Sequence, residues 1–175
     1  MASKVVSCTI KGTSSLLMHK FPFVAINGFE KLSIEEQAEH AAYRTAEGEL
    51  YVPGLNFQRA LVSGATYIKG KGRATMQKPV AACVLISPEY ILLNKREYTI
   101  DSRPVVIPAT KGRVLRHRPR LDEWQITFSI EYDPVLMKEE ELRKVVDETG
   151  SRVGLLDFRP EKKGPFGRFV VVEWK

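Results

Sequence analysis

Three stretches of this sequence gather cations at spacings that suit a chain of phosphates. The longest runs from Lys95 to Arg120, where Lys95, Arg96, Arg103, Lys111, Arg113, Arg116, Arg118 and Arg120 face only Glu97 and Asp101. At its heart Arg116, His117 and Arg118 form a dense knot flanked by Arg113 and Arg120. A guanidinium both forks onto phosphate and stacks on a base, so this run suits nucleic acid; the plain alternative is a solvated loop, which the scarcity of acids disfavours. The second stretch, "DFRPEKKGPFGRF", sets Arg159, Lys162, Lys163 and Arg168 around Gly164 and Gly167. Glycine lets backbone N–H groups approach an anion with no Cβ in the way. The loop therefore reads either as a phosphate cradle or as an ordinary turn. The third, "KGKGR", offers Lys69, Lys71 and Arg73, cations that the dipole at a helix C-terminus also favours by itself.

Aromatic residues beside these segments are candidates for base stacking: Tyr43, Tyr51, Phe158 and Phe166, of which Phe166, inside the glycine-rich loop, is the best placed. The histidines are His19, His40 and His117, and His19 is a weak candidate for a general base acting on an RNA 2′-hydroxyl. No second histidine, serine or tyrosine joins it in a catalytic motif. No cluster has zinc-ligand spacing, and "GKGR" lacks the GxxxxGK[ST] spacing of a phosphate-binding P-loop. The expectation is a protein without metal or cofactor.

A chain of 175 residues with 43% hydrophobic and 27% charged residues can bury one core and folds as one domain, the basic segment being an arm or insertion at about 95–120. Its net charge of +6 favours an acidic partner, and nucleic acid is the commonest. Cys8 and Cys83 both fall in apolar, strand-like runs and read as reduced thiols, with a bridge between them left open. The start, "MASKVVSCTIKG", has no apolar leader, and no run approaches a membrane span, so a cytoplasmic location is expected.

The elements that must carry these groups follow from periodicity. Val5–Ile10 reads as a strand. Ser33, with acids three positions on, starts a short helix through a capping box, while "FPFVAING" before it reads as a loop. Phe57, Leu61, Gly64 and Ile68 recur at helical spacing between the Pro53–Gly54 entrance and the stops at Gly70 and Gly72. Val80–Ile86 reads as a strand, and Tyr90–Leu93 either continues it or returns as a hairpin partner. Trp124, Ile126, Phe128, Ile130 and Tyr132 alternate with polar residues in a half-buried strand. Leu142, Val145, Val146 and Thr149 share one face of a second helix ending at Gly150, and Phe169–Trp174 is the last strand. The fold class is α+β. Without the insertion the order is strand, helix, strand, strand, helix, strand, the split βαβ arrangement of ferredoxin-like domains, with helices on one face of an antiparallel sheet.

Two motifs sharpen this reading. "LYVPGLNFQRALVSGA", Leu50–Ala65, resembles the entrance to the first helix in the RAMP superfamily, the ferredoxin-like RNA-binding proteins of CRISPR effector complexes, and "GPFGRF" resembles that family's glycine-rich loop before the last strand. The C-terminal stretch is also similar to that of small prophage proteins. The resemblance spans Val5–Ile10 and Leu50–Trp174. It implies RNA or single-stranded nucleic acid as ligand, bound along the sheet face, the glycine-rich loop and projecting basic segments. With no catalytic motif among the residues, the expected function is non-catalytic binding of RNA or single-stranded DNA, mainly through backbone phosphates. The residues expected to carry it are Lys69, Lys71, Arg73, Lys111, Arg113, Arg116, His117, Arg118, Arg120, Arg159, Lys162, Lys163, Gly164, Phe166, Gly167 and Arg168. Two alternatives stay open. One is a phage-encoded interaction module that self-assembles or joins and antagonises a CRISPR-type ribonucleoprotein, and the other is a metal-independent endoribonuclease using His19. The family's metal-dependent RNA cleavage uses an aspartate between first strand and first helix, and Thr13–Pro53 contains none.

Overall fold

The computed structural model of the chain describes residues 3–107 and 109–175. In chain order its elements are β1 (Lys4–Gly12), β2 (Leu16–Leu17), α1 (Ile34–His40), β3 (Tyr51–Pro53), α2 (Gly54–Gly64), α3 (Gln77–Cys83), β4 (Val84–Ser87) and β5 (Tyr90–Leu92). β6 (Thr99–Val106), β7 (Arg113–Leu121), β8 (Gln125–Tyr132), α4 (Glu139–Glu148) and β9 (Phe169–Trp174) follow.

Alternation along β8 organises the main sheet. Ile126, Phe128, Ile130 and Tyr132 are buried, whereas Gln125 and Thr127 face solvent. A strand patterned this way needs cover on one face only. β8 pairs antiparallel with β1 and β4, and β9 pairs antiparallel with β1, giving the order β4-β8-β1-β9. α2 and α4 supply the cover. Phe57 of α2 places its ring centroid 4.3 Å from that of Phe128 and 5.8 Å from that of Phe169, and Leu142, Val145 and Val146 of α4 join the same core. Burying a side chain of that size contributes about 1.5–3 kcal/mol, so the few apolar positions per element suffice to fix the layer.

Local signals account for most boundaries. Ser33 Oγ accepts from the Glu36 amide at 3.1 Å while the Ser33 amide donates to Glu36 at 2.8 Å, closing the expected capping box on α1. Four boundaries differ from expectation. The helix expected to run through Ile68 to Gly70 ends at Gly64, and after a single 3-10 turn Ile68 is extended. The run from Val80 begins as helix: α3 extends to Cys83 with Pro79 tolerated in its first turn, and only Val84–Ser87 is strand, so Cys83 lies on a helix. Both cysteines are free thiols. The helix after Lys138 does not stop at Gly150, which lies against Phe169; it continues through a π turn, Thr149–Val153, to Gly154. Tyr90–Leu92 pairs with Tyr51–Pro53 rather than extending β4.

The basic segment is a β-hairpin. β6 and β7 pair from Thr99 opposite Arg120 to Val106 opposite Arg113, and β2 pairs with the base of β7. Pro104 sits on β6, the edge strand, where no ladder donor is missed. Pro108, expected as one of the segment's punctuating prolines, lies outside the described residues.

Candidate nucleic-acid interface

Residues 15–19 tie the hairpin to the C-terminal loop. Leu16 and Leu17 pair with Leu121 and Arg120, and the Met18 amide donates to the Pro119 carbonyl at 2.9 Å. On the other side the Asp157 amide donates to the Leu17 carbonyl at 3.0 Å, and the Gly167 amide to the Ser15 carbonyl at 2.8 Å. This short ladder brings two stretches more than thirty residues apart in sequence onto one cleft. The cleft, of about 690 Å³, is bordered by Arg103, Arg116 and Arg118 of the hairpin, Arg159 and Lys162 of the loop, and His19 between them.

Asp157 stands at the junction. His19 Nδ1 lies 3.4 Å from its Oδ2, and the same oxygen accepts from Arg118 Nη1. Burial works to raise the carboxyl's pKa, but its contacts with His19 and Arg118 outweigh that and hold it down to about 2. The residues on either side, Leu156 and Phe158, have φ of 59° and 46°. Left-handed backbone in non-glycine residues costs on the order of 1–2 kcal/mol each, and such strain concentrates at functional sites. His19 also borders an adjoining cavity of about 250 Å³ lined by Tyr43, Asn56, Arg59, Asp157 and Arg159.

The cations of the hairpin and the last loop are less bare than the sequence suggests, because most of the arginines pair with a carboxylate two residues away or, for Arg116 and Arg118, with one from elsewhere in the chain. Arg116 pairs with Glu30 at 3.3 Å, Arg120 with Asp122 at 2.7 Å, Arg159 with Glu161 at 2.6 Å, and Arg103 with Asp101 through Nε at 2.6 Å. His117 Nδ1 lies 2.7 Å from Ser102 Oγ. Among the described residues Arg59, Lys111, Arg113, Lys162 and Lys163 have no ion pair. Lys111 and Arg113 are exposed at the hairpin tip. Lys69, Lys71 and Arg73 are exposed between α2 and α3 and border none of these cavities.

Three assigned roles need correction. The Gly164 amide donates to the Arg159 carbonyl at 3.0 Å and the Gly167 amide to Ser15, so neither N–H is offered to an anion. A Cβ on Gly164 would sit 1.8 Å from the Phe158 carbonyl oxygen, and one on Gly167, at φ 74°, 2.1 Å from that of Leu155. These glycines let backbone pack on backbone. Phe166 is only 6% exposed and no open platform: the guanidinium of Arg103 lies 4.8 Å and that of Arg120 5.9 Å from its ring centroid. Arg168 turns its Nη1 to the Ser151 carbonyl, away from the cleft-lining groups.

Sequence reasoning passed over Asn56, Arg59 and Asp157 as members of these walls and counted Arg103 only among the cations of the basic segment, while Tyr43, named as a stacking candidate, does border one of the cavities. Asn56 and Arg59 lie three apart on α2, on the side away from buried Phe57, Ala60 and Leu61, and that spacing was a readable signal. Asp157, an acid opening a cationic run, was another.

The molecule is thus an α+β chain with a helix-covered antiparallel sheet and a β-hairpin whose middle and outer part form a cationic cleft with the last loop. Among the described residues no three His, Cys, Asp or Glu side chains gather to hold a metal ion, and no helix is long and apolar enough to cross a membrane. No protein-family model and no curated protein matches the sequence. Among solved structures, a chain from the cryo-EM structure of the Type III-B Cmr-beta bound to cognate target RNA is similar in fold, with a TM-score of 0.57 at 13% identity. The match covers 99% of this chain and 60% of that one, so this chain spans about three fifths of its neighbour's length.

Proposed function

We propose that the chain is a non-catalytic protein of RAMP type that binds RNA or single-stranded DNA mainly through backbone phosphates, on a ferredoxin-like core. The core reading is supported by the order β1, α2, β4, β8, α4, β9 and by a sheet in which the first and third of those strands lie at the centre. The observation that carries the functional reading is the cleft, where two cationic segments separate in sequence meet beside His19. The fold-level likeness to a chain of an RNA-bound structure agrees with it.

Each arginine in the cleft already has a carboxylate partner, so phosphate oxygens compete with those acids. Binding is therefore moderate at low salt and falls with a shallow slope. About three phosphate contacts give a slope near −2 in log affinity against log salt, at about −0.7 per contact on single strands. Fluorescence anisotropy of a labelled single-stranded RNA over a salt series tests this, and an absence of salt-sensitive binding refutes it.

Two other readings have an observation behind them. The His19–Asp157 pair, beside Tyr43, Asn56 and Arg59, has the form of a base with its orienting acid, which suits metal-independent RNA cleavage. Chelator-treated protein leaving RNA intact, with no difference between wild type and His19→Ala, ends that reading. Exposed Val5, Leu85, Val135 and Leu136 near the β4 edge suit an interaction module, and a stable oligomer lacking nucleic acid in size-exclusion chromatography favours it.

A further inference from the structure

Phe166 is enclosed, and the open aromatic rings stand elsewhere. Between β2 and α1 the chain leaves Phe21 79%, Phe23 93% and Val24 77% exposed. Rings clustered in water mark a surface that association covers, because removing them from water is favourable. The segment that carries them is anchored at both ends. The Lys20 amide donates to the Ala41 carbonyl at 2.9 Å, and the Phe29 ring lies 6.3 Å from that of His40 between centroids. Glu30 pairs with Arg116, whose guanidinium stands 5.8 Å from the Phe29 centroid.

Position and charge together say what covers these rings. Phe21 and Phe29 line a cavity of about 240 Å³ whose walls also include His19 and Arg116, and those two border the cationic cleft as well. The apolar surface therefore begins where the cleft ends. From Thr13 to Lys31 the sequence holds a single acid, Glu30, already paired with Arg116, while Lys20 and Lys31 have no ion pair among the described residues. On α1, Glu36 accepts from the Ser33 amide and Glu39 pairs with Arg44, which leaves Glu35 as that helix's one acid without a partner. A peptide docking by apolar side chains alone gains nothing from flanking cations. A single strand offers a flat ring and a phosphate in every nucleotide and uses both. Phenyl rings have no hydrogen-bonding edge, so they accept any base by its face.

We propose that Phe21 and Phe23 form a stacking platform for unpaired bases of a strand whose phosphates run from the cleft past Arg116. The proposal rests on the reading of the chain as a binder of single strands. The test titrates two fluorescent strands of equal length, an oligouridine and one whose sugars carry no base, over a salt series with intact wild type and with Phe21→Ser/Phe23→Ser. Wild type is expected to bind oligouridine about tenfold more tightly than the abasic strand at the same salt slope, within the range of one stacked base. The variant should lose about that factor on oligouridine and nothing on the abasic strand, with the slope kept, because stacking releases no counterions. Both side chains are exposed, so the variant should melt where wild type does; Phe23→Ser, at the more exposed ring, repeats the comparison if the pair disturbs folding. Equal wild-type affinities for the two strands, or variants that bind oligouridine as wild type does, overturn the platform and leave the proposed function standing. An absence of salt-sensitive binding to either strand overturns both. Self-association of wild type that the variant abolishes, with strand binding unchanged, assigns the rings to a protein contact and likewise overturns the platform.

Discussion

Replacing Asp157 with Asn removes a charge that Arg118 depends on while keeping the side chain's shape. Asp157 lowers its pKa from 3.8 to about 2 on folding. At about 1.36 kcal/mol per pH unit that fall corresponds to roughly 2 kcal/mol. The Asp157 side chain is 30% exposed, so solvent screening trims the figure; Arg118, buried and left with no counter-charge, pushes the cost of the variant back up. The expected loss for Asp157→Asn is about 2 kcal/mol near pH 7, or a melting temperature lower by about 4–8 °C for a chain of this size. The sign with pH follows from a depressed carboxyl. Its stabilisation is fully present above the unfolded value of 3.8 and disappears as pH falls toward about 2, so wild type and variant converge there. Urea unfolding at about pH 7 and about pH 2.5, with unchanged m-values, measures both numbers. A difference below about 0.5 kcal/mol at neutral pH, or one that persists undiminished in acid, refutes the role assigned to this pair.

Gly167→Ala, at φ 74° and with its new Cβ directed at the Leu155 carbonyl, should destabilise the fold by more than about 1 kcal/mol in thermal unfolding; an unchanged stability contradicts the packing role given to this glycine. Burial pushes the Cys8 thiol up to about 12, so in native protein it should resist alkylation near pH 8 and react once the chain is unfolded in urea, as mass spectrometry of the labelled peptides would show. Phe57→Ala opens a hole between α2, β8 and β9 and is expected to cost about 3–5 kcal/mol by the same unfolding assay.

The sequence made the main layer legible because its signals were local and periodic. The alternation from Trp124 to Tyr132, the helical spacing through Phe57 and Leu61, and the Ser33 capping box each appear in the structure where their pattern placed them. Val80 misled because a short apolar run fits helix and strand equally, and Ala81 and Ala82 tipped it to helix up to Cys83. The site was legible as charge but not as geometry. Glu30 and Asp157 neutralise arginines of the hairpin across long stretches of chain, pairings that no local window shows, whereas Asp122 beside Arg120 was within sight. Phe166 looked accessible inside a glycine-rich loop, yet two arginines and Phe158 enclose it. The loop's glycines were read for the anion they would admit, when the nearer demand came from the carbonyls of Leu155 and Phe158.

The central claim is that phosphates bind in the cleft between the hairpin and the last loop. The most direct measurement compares the salt dependence of single-stranded RNA binding by wild type, by Arg159→Gln/Lys162→Gln in the cleft, and by Lys69→Gln/Lys71→Gln/Arg73→Gln outside it. The account predicts that the cleft variant makes the slope shallower by about 1.4, at about 0.7 per contact, and that the variant outside leaves it unchanged. A slope altered only by the outside variant, or by neither, contradicts it.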